Sequence, residues 1–106
     1  MTLDSIRDAI DKNKFRISKH AQIEMHKDEF DLDDVLLSVE NGKIIEDYPG
    51  DKRSPSCLVF GYSYNHRPIH SVWGLIDKVA ICVTVYKPEA TQWDNFEIRR
   101  KKWNNF

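Results

Sequence analysis

At 106 residues, with 41% hydrophobic and 31% charged side chains, the chain has the make-up of one modest folded core, which excludes a disordered polymer and a pair of separate cores. No apolar run reaches the roughly 20 residues of a membrane-spanning helix, and MTLDSIRDAIDKNK lacks the apolar segment of a secretory signal, so a cytoplasmic protein without membrane contact is expected. The net charge of −1 hides an asymmetry: residues 1–53 hold 13 acidic against 9 basic side chains and residues 54–106 hold 4 against 7, so only the carboxyl half suits a phosphate backbone.

In chain order, Leu3, Ile6, Ala9 and Ile10 fall at helical spacing and predict an amphipathic helix over 3–12, ended by Lys12-Asn13-Lys14. Phe15-Arg16-Ile17 reads as a short extended piece. Ser18 is an N-cap for a helix to about Lys27 with Ala21 and Met25 inward, and Asp31 caps a third helix with the stripe Leu32, Val35, Leu36, Val39. Asn41-Gly42 stops it, with Gly42 expected in the left-handed C′ conformation. From there the period becomes that of strands: 43–48, 56–64, 68–76 and 79–86, broken by the Pro/Gly-rich loop 49–55 and by the short polar breaks Asn65-His66-Arg67 and Asp77-Lys78. Helices followed by an antiparallel meander predict a single α+β domain over 1–106, with two to three N-terminal helices on one face of a four-stranded antiparallel sheet.

Strand parity assigns the faces. Val79, Ile81, Val83 and Val85 are expected toward the helices, and Ala80, Cys82, Thr84 and Tyr86 toward a second face that Trp93, Phe96, Trp103 and Phe106 partly cover. A two-residue turn at Asp77-Lys78 would put His70 on the helix side, and a three-residue turn would align it with Thr84 and Tyr86. The sequence leaves both open. Cys57 and Cys82 lie in apolar runs without a CxxC pair and read as reduced, packed thiols rather than zinc ligands.

The candidate chemistry is sparse. His20, in the first turn of its helix and on one face with Glu24, suits acid–base work or a phosphate, and with Glu24 it is also half of a conceivable metal site, for which no second pair at ligand spacing exists. His70 lies inside a strand. Arg99, Arg100, Lys101 and Lys102, followed by Trp103, combine cations with an aromatic, as single-stranded RNA binding requires. No phosphate loop, dinucleotide fingerprint, GxSxG or HExxH motif is present, which leaves acid–base chemistry by His, Tyr and Arg, or no catalysis.

The segments SKHAQIEM (18–25), NGKIIEDYPGDKRSPSCLVFG (41–61), RPIHSVW (67–73), TVYKP (84–88) and WDNFEIRRK (93–101) resemble, over nearly the whole chain, the small bacterial domain-of-unknown-function 4258 family. That family more distantly resembles RelE-like and MqsR-like toxin ribonucleases. The resemblance implies a RelE-like fold, metal-independent mRNA cleavage without a cofactor, and a small zinc-ribbon or helix-turn-helix antitoxin as partner. It carries over to His20, Ala21, Met25, Glu46 to Gly50, His70, Thr84, Tyr86, Pro88, Trp93, Arg99 and Arg100. Three residues after Met25, where the family has an arginine, this chain has Asp28, with Phe30 shortly after.

The expectation is therefore a toxin-like, metal-independent endoribonuclease. His20, His70, Tyr86, Arg99 and Arg100 are its catalytic candidates, and Tyr48, Thr84, Lys101, Lys102 and Trp103 its RNA contacts, with no metal. The alternatives are a non-catalytic binding or regulatory domain of the same fold, and a metal-dependent hydrolase using His20, Glu24, Glu46 and Asp47.

Overall fold

Three short helices form where side-chain caps meet an apolar stripe. In the computed structural model, which describes residues 1–100, α1 spans Leu3–Asp11, α2 spans Lys19–Lys27 and α3 spans Leu32–Glu40. Thr2, Ser18 and Asp31 each accept a backbone N–H of the first turn, and Asp34 returns the bond to the Asp31 backbone, closing a capping box. Ile6, Ala9, Ala21, Met25, Phe30, Val35 and Val39 are the buried side chains of this layer. Gly42 follows α3 but has no positive φ, which corrects the left-handed expectation. It is needed for space, because a Cβ there would collide with the carbonyl oxygens of Ser38 and Phe60. Gly61 lets the same turn of α3 sit on the sheet, since its Cβ would run into the Ser38 carbonyl.

The sheet has five strands, not four, in the order β1 (Phe15–Ile17), β5 (Val79–Tyr86), β4 (Pro68–Ile76), β3 (Ser56–Tyr62) and β2 (Lys43–Tyr48). β1 pairs parallel to β5, so the sheet is mixed rather than wholly antiparallel. β3 ends at Tyr62, two residues before its expected limit. Residues beyond β5 add a small hairpin, β6 (Trp93–Asp94) and β7 (Ile98–Arg99). Lys101, Lys102, Trp103 and Phe106 lie outside the described residues. None of the described helices is long and apolar enough to cross a membrane.

A bulge decides the parity. The Asp77-Lys78 turn has two residues, with Ile76 opposite Val79, yet Val72 faces Thr84 while Trp73 faces Cys82, leaving Val83 as the extra residue. Side chains before and after Val83 therefore follow opposite alternations. Ala80, Cys82 and Val85 are fully buried in the core under the helices, with Cys57, Val59, Ile69 and Trp73. Val79, Ile81 and Val83 are half-buried, which corrects their assignment to the helix face; Val85 alone of that set lies there. The bulge, not a three-residue turn, places His70 beside Tyr86. The buried thiols of Cys57 and Cys82 are both pushed up by burial, that of Cys57 to about 11.

Asp77 and Lys78 both have positive φ, 50° and 65°, a conformation that costs an L-residue other than Asn or Asp about 1 kcal/mol or more. Replacing Asp77-Lys78 by Asn-Gly is expected to raise stability by about 1 kcal/mol and Tm by about 5 °C in thermal unfolding. An unchanged or lowered Tm would contradict this reading of the turn.

Candidate functional site

The sheet face away from the helices carries the polar side chains. Register places Glu46 and Tyr48 of β2, Ser56, Leu58 and Phe60 of β3, His70, Val72 and Gly74 of β4, and Thr84 and Tyr86 of β5 on this side. The β6–β7 hairpin lies over Phe60, His70 and Glu46 of this side. Trp93 is buried and meets the His70 ring edge-on, with centroids 4.5 Å apart. Phe96 turns back with a φ of 62°, unusual for a bulky residue, and its carbonyl takes a hydrogen bond from His70.

His70 is fully buried, and its two nitrogens have distinct partners. Nε2 lies 2.6 Å from the Phe96 carbonyl oxygen, an acceptor only, so Nε2 carries the proton. Nδ1 then has a lone pair and accepts the Tyr86 hydroxyl at 3.1 Å. Burial is the main influence holding the imidazole below its ordinary 6.5, with the Phe96 bond and Glu46 opposing and Arg99 reinforcing it. Burial likewise raises the Tyr86 phenol above its ordinary value of 10.0, against the nearby Arg99. A neutral histidine thus presents a base to a protonated tyrosine.

Beside this pair, Arg99 donates to both oxygens of Glu46, at 3.0 and 3.4 Å, and its guanidinium lies 4.5 Å over the Trp93 ring. Tyr48 donates to Glu46 at 2.5 Å. Burial alone would raise the Glu46 carboxyl, but these bonds from Arg99 and Tyr48 outweigh it and hold Glu46 below 4.5. The Tyr48 phenol is raised by burial and by the carboxylate it bonds.

His20 is exposed, and its Nε2 lies 3.2 Å from the Thr84 hydroxyl. Thr84 and Tyr86 are two residues apart on one strand and share its face, with their Cα atoms about 6.6 Å apart. Of the five catalytic candidates, His70, Tyr86 and Arg99 converge, and His20 joins them through Thr84. Arg100 does not: it pairs with Asp94 at 3.1 Å on the hairpin. Tyr48 adjoins the cluster with its hydroxyl engaged. The RNA-contact candidates Lys101, Lys102 and Trp103 fall outside the described residues.

Sequence reasoning missed two partners. Glu46, read as a charged strand end, is the carboxylate of Arg99, and its spacing of two from Tyr48 on one strand was the available sign of a shared face. The Phe96 carbonyl had no side-chain signal at all. Asp28 also has a structural use. Its carboxylate accepts the Lys87 backbone N–H at 2.9 Å, while Arg67 donates to the Asp28 and Glu29 carbonyls with its guanidinium 4.3 Å above the Phe30 ring. The inverted charge ties α2 to the end of β5. Among the described residues no three His, Cys, Asp or Glu side chains gather as a metal ion requires.

Comparison with curated proteins and with solved structures gives no match. A family model does match residues 17–87, a span that contains Ser18, His20, Glu46, Tyr48, His70, Thr84 and Tyr86 and stops before Trp93, Arg99 and Arg100. With more than half of its length matched, the chain belongs to the domain of unknown function (DUF4258) family.

Proposed function

We propose that the protein is a metal-independent endoribonuclease of the toxin type, with a RelE-like arrangement of helices on a sheet and single-stranded RNA as substrate. The observation that carries this reading is the Tyr86–His70 pair, in which a neutral histidine of fixed tautomer holds its lone pair toward a half-buried tyrosine hydroxyl. In the proposed step the ribose 2′-OH gives its proton to Tyr86 Oη while the Tyr86 proton moves to His70 Nδ1. The 2′-oxygen bonds to phosphorus, the bond from phosphorus to the 5′-oxygen breaks, and protonated His20, oriented by Thr84, supplies the proton that the leaving oxygen takes. The products are a 2′,3′-cyclic phosphate and a 5′-hydroxyl. Arg99 stabilises the charge growing on the phosphate. His70 and His20 then exchange protons with solvent and regain their starting states.

The pH dependence follows from His70. The base must be neutral, so cleavage is expected to rise with pH through a value below 6.5. The direct test is a purified-protein assay on single-stranded RNA in EDTA. Cleavage with cyclic-phosphate ends, lost by about 10²-fold or more in His20→Ala, supports the mechanism. Intact RNA in that assay overturns it.

A second reading, a non-catalytic binding or regulatory domain, draws on one observation. Arg99 already has a carboxylate partner in Glu46, so the cluster offers RNA little uncompensated positive charge. Binding of RNA or of a small protein partner without cleavage would select it.

A further inference from the structure

The hairpin covers the part of the polar face around Phe60, His70 and Glu46. Beside His20 the face forms an open groove of about 340 Å³, lined by Asp51, Arg53, Ser54, Ser56, Ile81 and Val83 among others. Its floor is apolar, formed by Ile81 and Val83 of β5; beside them Gly74 gives room to the Ser54 hydroxyl, which a Cβ there would meet at 2.9 Å. Ile76 stands 45% exposed at the rim. An apolar floor of two branched side chains suits the face of a planar ring.

One edge of the groove is polar and already organised. The Asp51 carboxylate accepts Arg53 Nε at 3.2 Å, Arg53 Nη2 at 2.8 Å and the Arg53 backbone N–H at 3.1 Å, and the Ser56 hydroxyl adds a fourth bond at 2.9 Å. Asp51 thereby grips the Nε/Nη2 side of the guanidinium. The Nη1/Nη2 end retains a parallel pair of N–H donors, on a side chain that is 63% exposed. Two parallel donors match two adjacent acceptors. Guanine carries such a pair at O6 and N7 and cytosine at N3 and O2, and of the two the larger ring face of guanine covers more of the apolar floor. A phosphate is the poorer occupant, because Asp51 compensates the arginine charge and most of the lining is apolar.

Resting on the endoribonuclease reading above, we infer that this groove is a base-recognition subsite that takes a guanine next to the scissile phosphate. Ile81 and Val83 receive the ring face, Arg53 reads O6 and N7, and Asp51 with Ser56 holds Arg53 in register. The site would make the enzyme cut beside guanine.

Binding can be measured apart from cleavage with fluorescein-labelled 2′-O-methyl RNA pentamers, which lack the attacking hydroxyl. The pentamer AAGAA is expected to bind about tenfold or more tighter than AAAAA, AACAA and AAUAA in anisotropy titrations, the discrimination of one bidentate contact. Substituting 7-deazaguanine, which removes N7, or Arg53→Lys, which keeps the charge but loses the fork, is expected to erase the preference. Arg53 is exposed, so the variant should fold as the parent does. Equal binding of all four pentamers, no binding of any, or a guanine preference that survives Arg53→Lys overturns the assignment. RNA cut in a His20-dependent way without guanine preference overturns the subsite and leaves the endoribonuclease standing. Guanine-selective binding by a protein that cuts nothing supports the subsite and removes the cleavage reading.

Discussion

Tyr86→Phe is expected to lower RNA cleavage by about 10²–10⁴-fold, the range for losing a positioned proton-transfer group. The substitution keeps the ring, and with it the contact to His70 at a centroid distance of 5.2 Å, and removes only the hydroxyl. It also leaves His70 Nδ1 buried without a donor, which costs about 1–2 kcal/mol of stability. The two effects separate by temperature: a well-folded variant at 20 °C should still be inactive, with its Tm lowered by several degrees. A control sharpens the result. Tyr48→Phe also deletes a hydroxyl from this face, but that hydroxyl donates to Glu46 rather than to a base. It is expected to retain cleavage within about tenfold, a change of about 1.4 kcal/mol in the barrier. Full activity in Tyr86→Phe would remove the tyrosine–histidine relay, and equal losses in both variants would point to a general disturbance of the face.

The legible parts of the fold were those in which local chemistry and long-range packing agree. Ser18 and Asp31 cap helices because their side chains satisfy backbone donors nearby, a matter of three residues. The Ala21/Met25 and Val35/Val39 pairs announce the buried faces for the same reason. β1 is different. Three residues are too few to show a period of two, and Phe15–Ile17 is a strand only because β5 offers it an edge. The bulge at Val83 left no trace either, since Val, Thr and Cys suit both sides of a sheet and either alternation looks apolar. That single extra residue decides whether His70 meets the helices or Tyr86. The site was legible as residue types at His20, His70, Tyr86 and Arg99, whereas its wiring depends on the Phe96 carbonyl and on Glu46, which reach it through the hairpin and the β2 register. The loop 49–55, read in the sequence as a break between strands, supplies Asp51, Arg53 and Ser54 to the groove.

His70→Ala is expected to destabilise the protein by about 3 kcal/mol in urea unfolding, the cost of emptying a fully buried ring site and stranding its partners. The loss goes beyond the ring. Trp93 packs edge-on to His70 and the Phe96 carbonyl is bonded to it, so the hairpin should loosen, with faster amide exchange at Trp93 and Arg100. The pH dependence gives an independent check. Burial lowers the folded-state pKa of His70 below 6.5, so the unfolded chain binds more protons than the folded one as pH drops past 6.5. His70 therefore contributes stability that is present above 6.5 and lost as pH falls through its folded value. Glu46 has the same sign in a lower window: its folded pKa lies below 4.5, so its contribution is present above 4.5 and lost further down. The window just under 6.5 accordingly isolates His70. His70→Phe, which keeps an aromatic ring but cannot titrate, is expected to be less destabilised than His70→Ala and to lose less stability than the parent between pH 6.5 and pH 5. A parent stability that stays flat across that window, or an equal slope in His70→Phe, would show that His70 is not held neutral by the fold, and the base assigned to the Tyr86 relay would go with it.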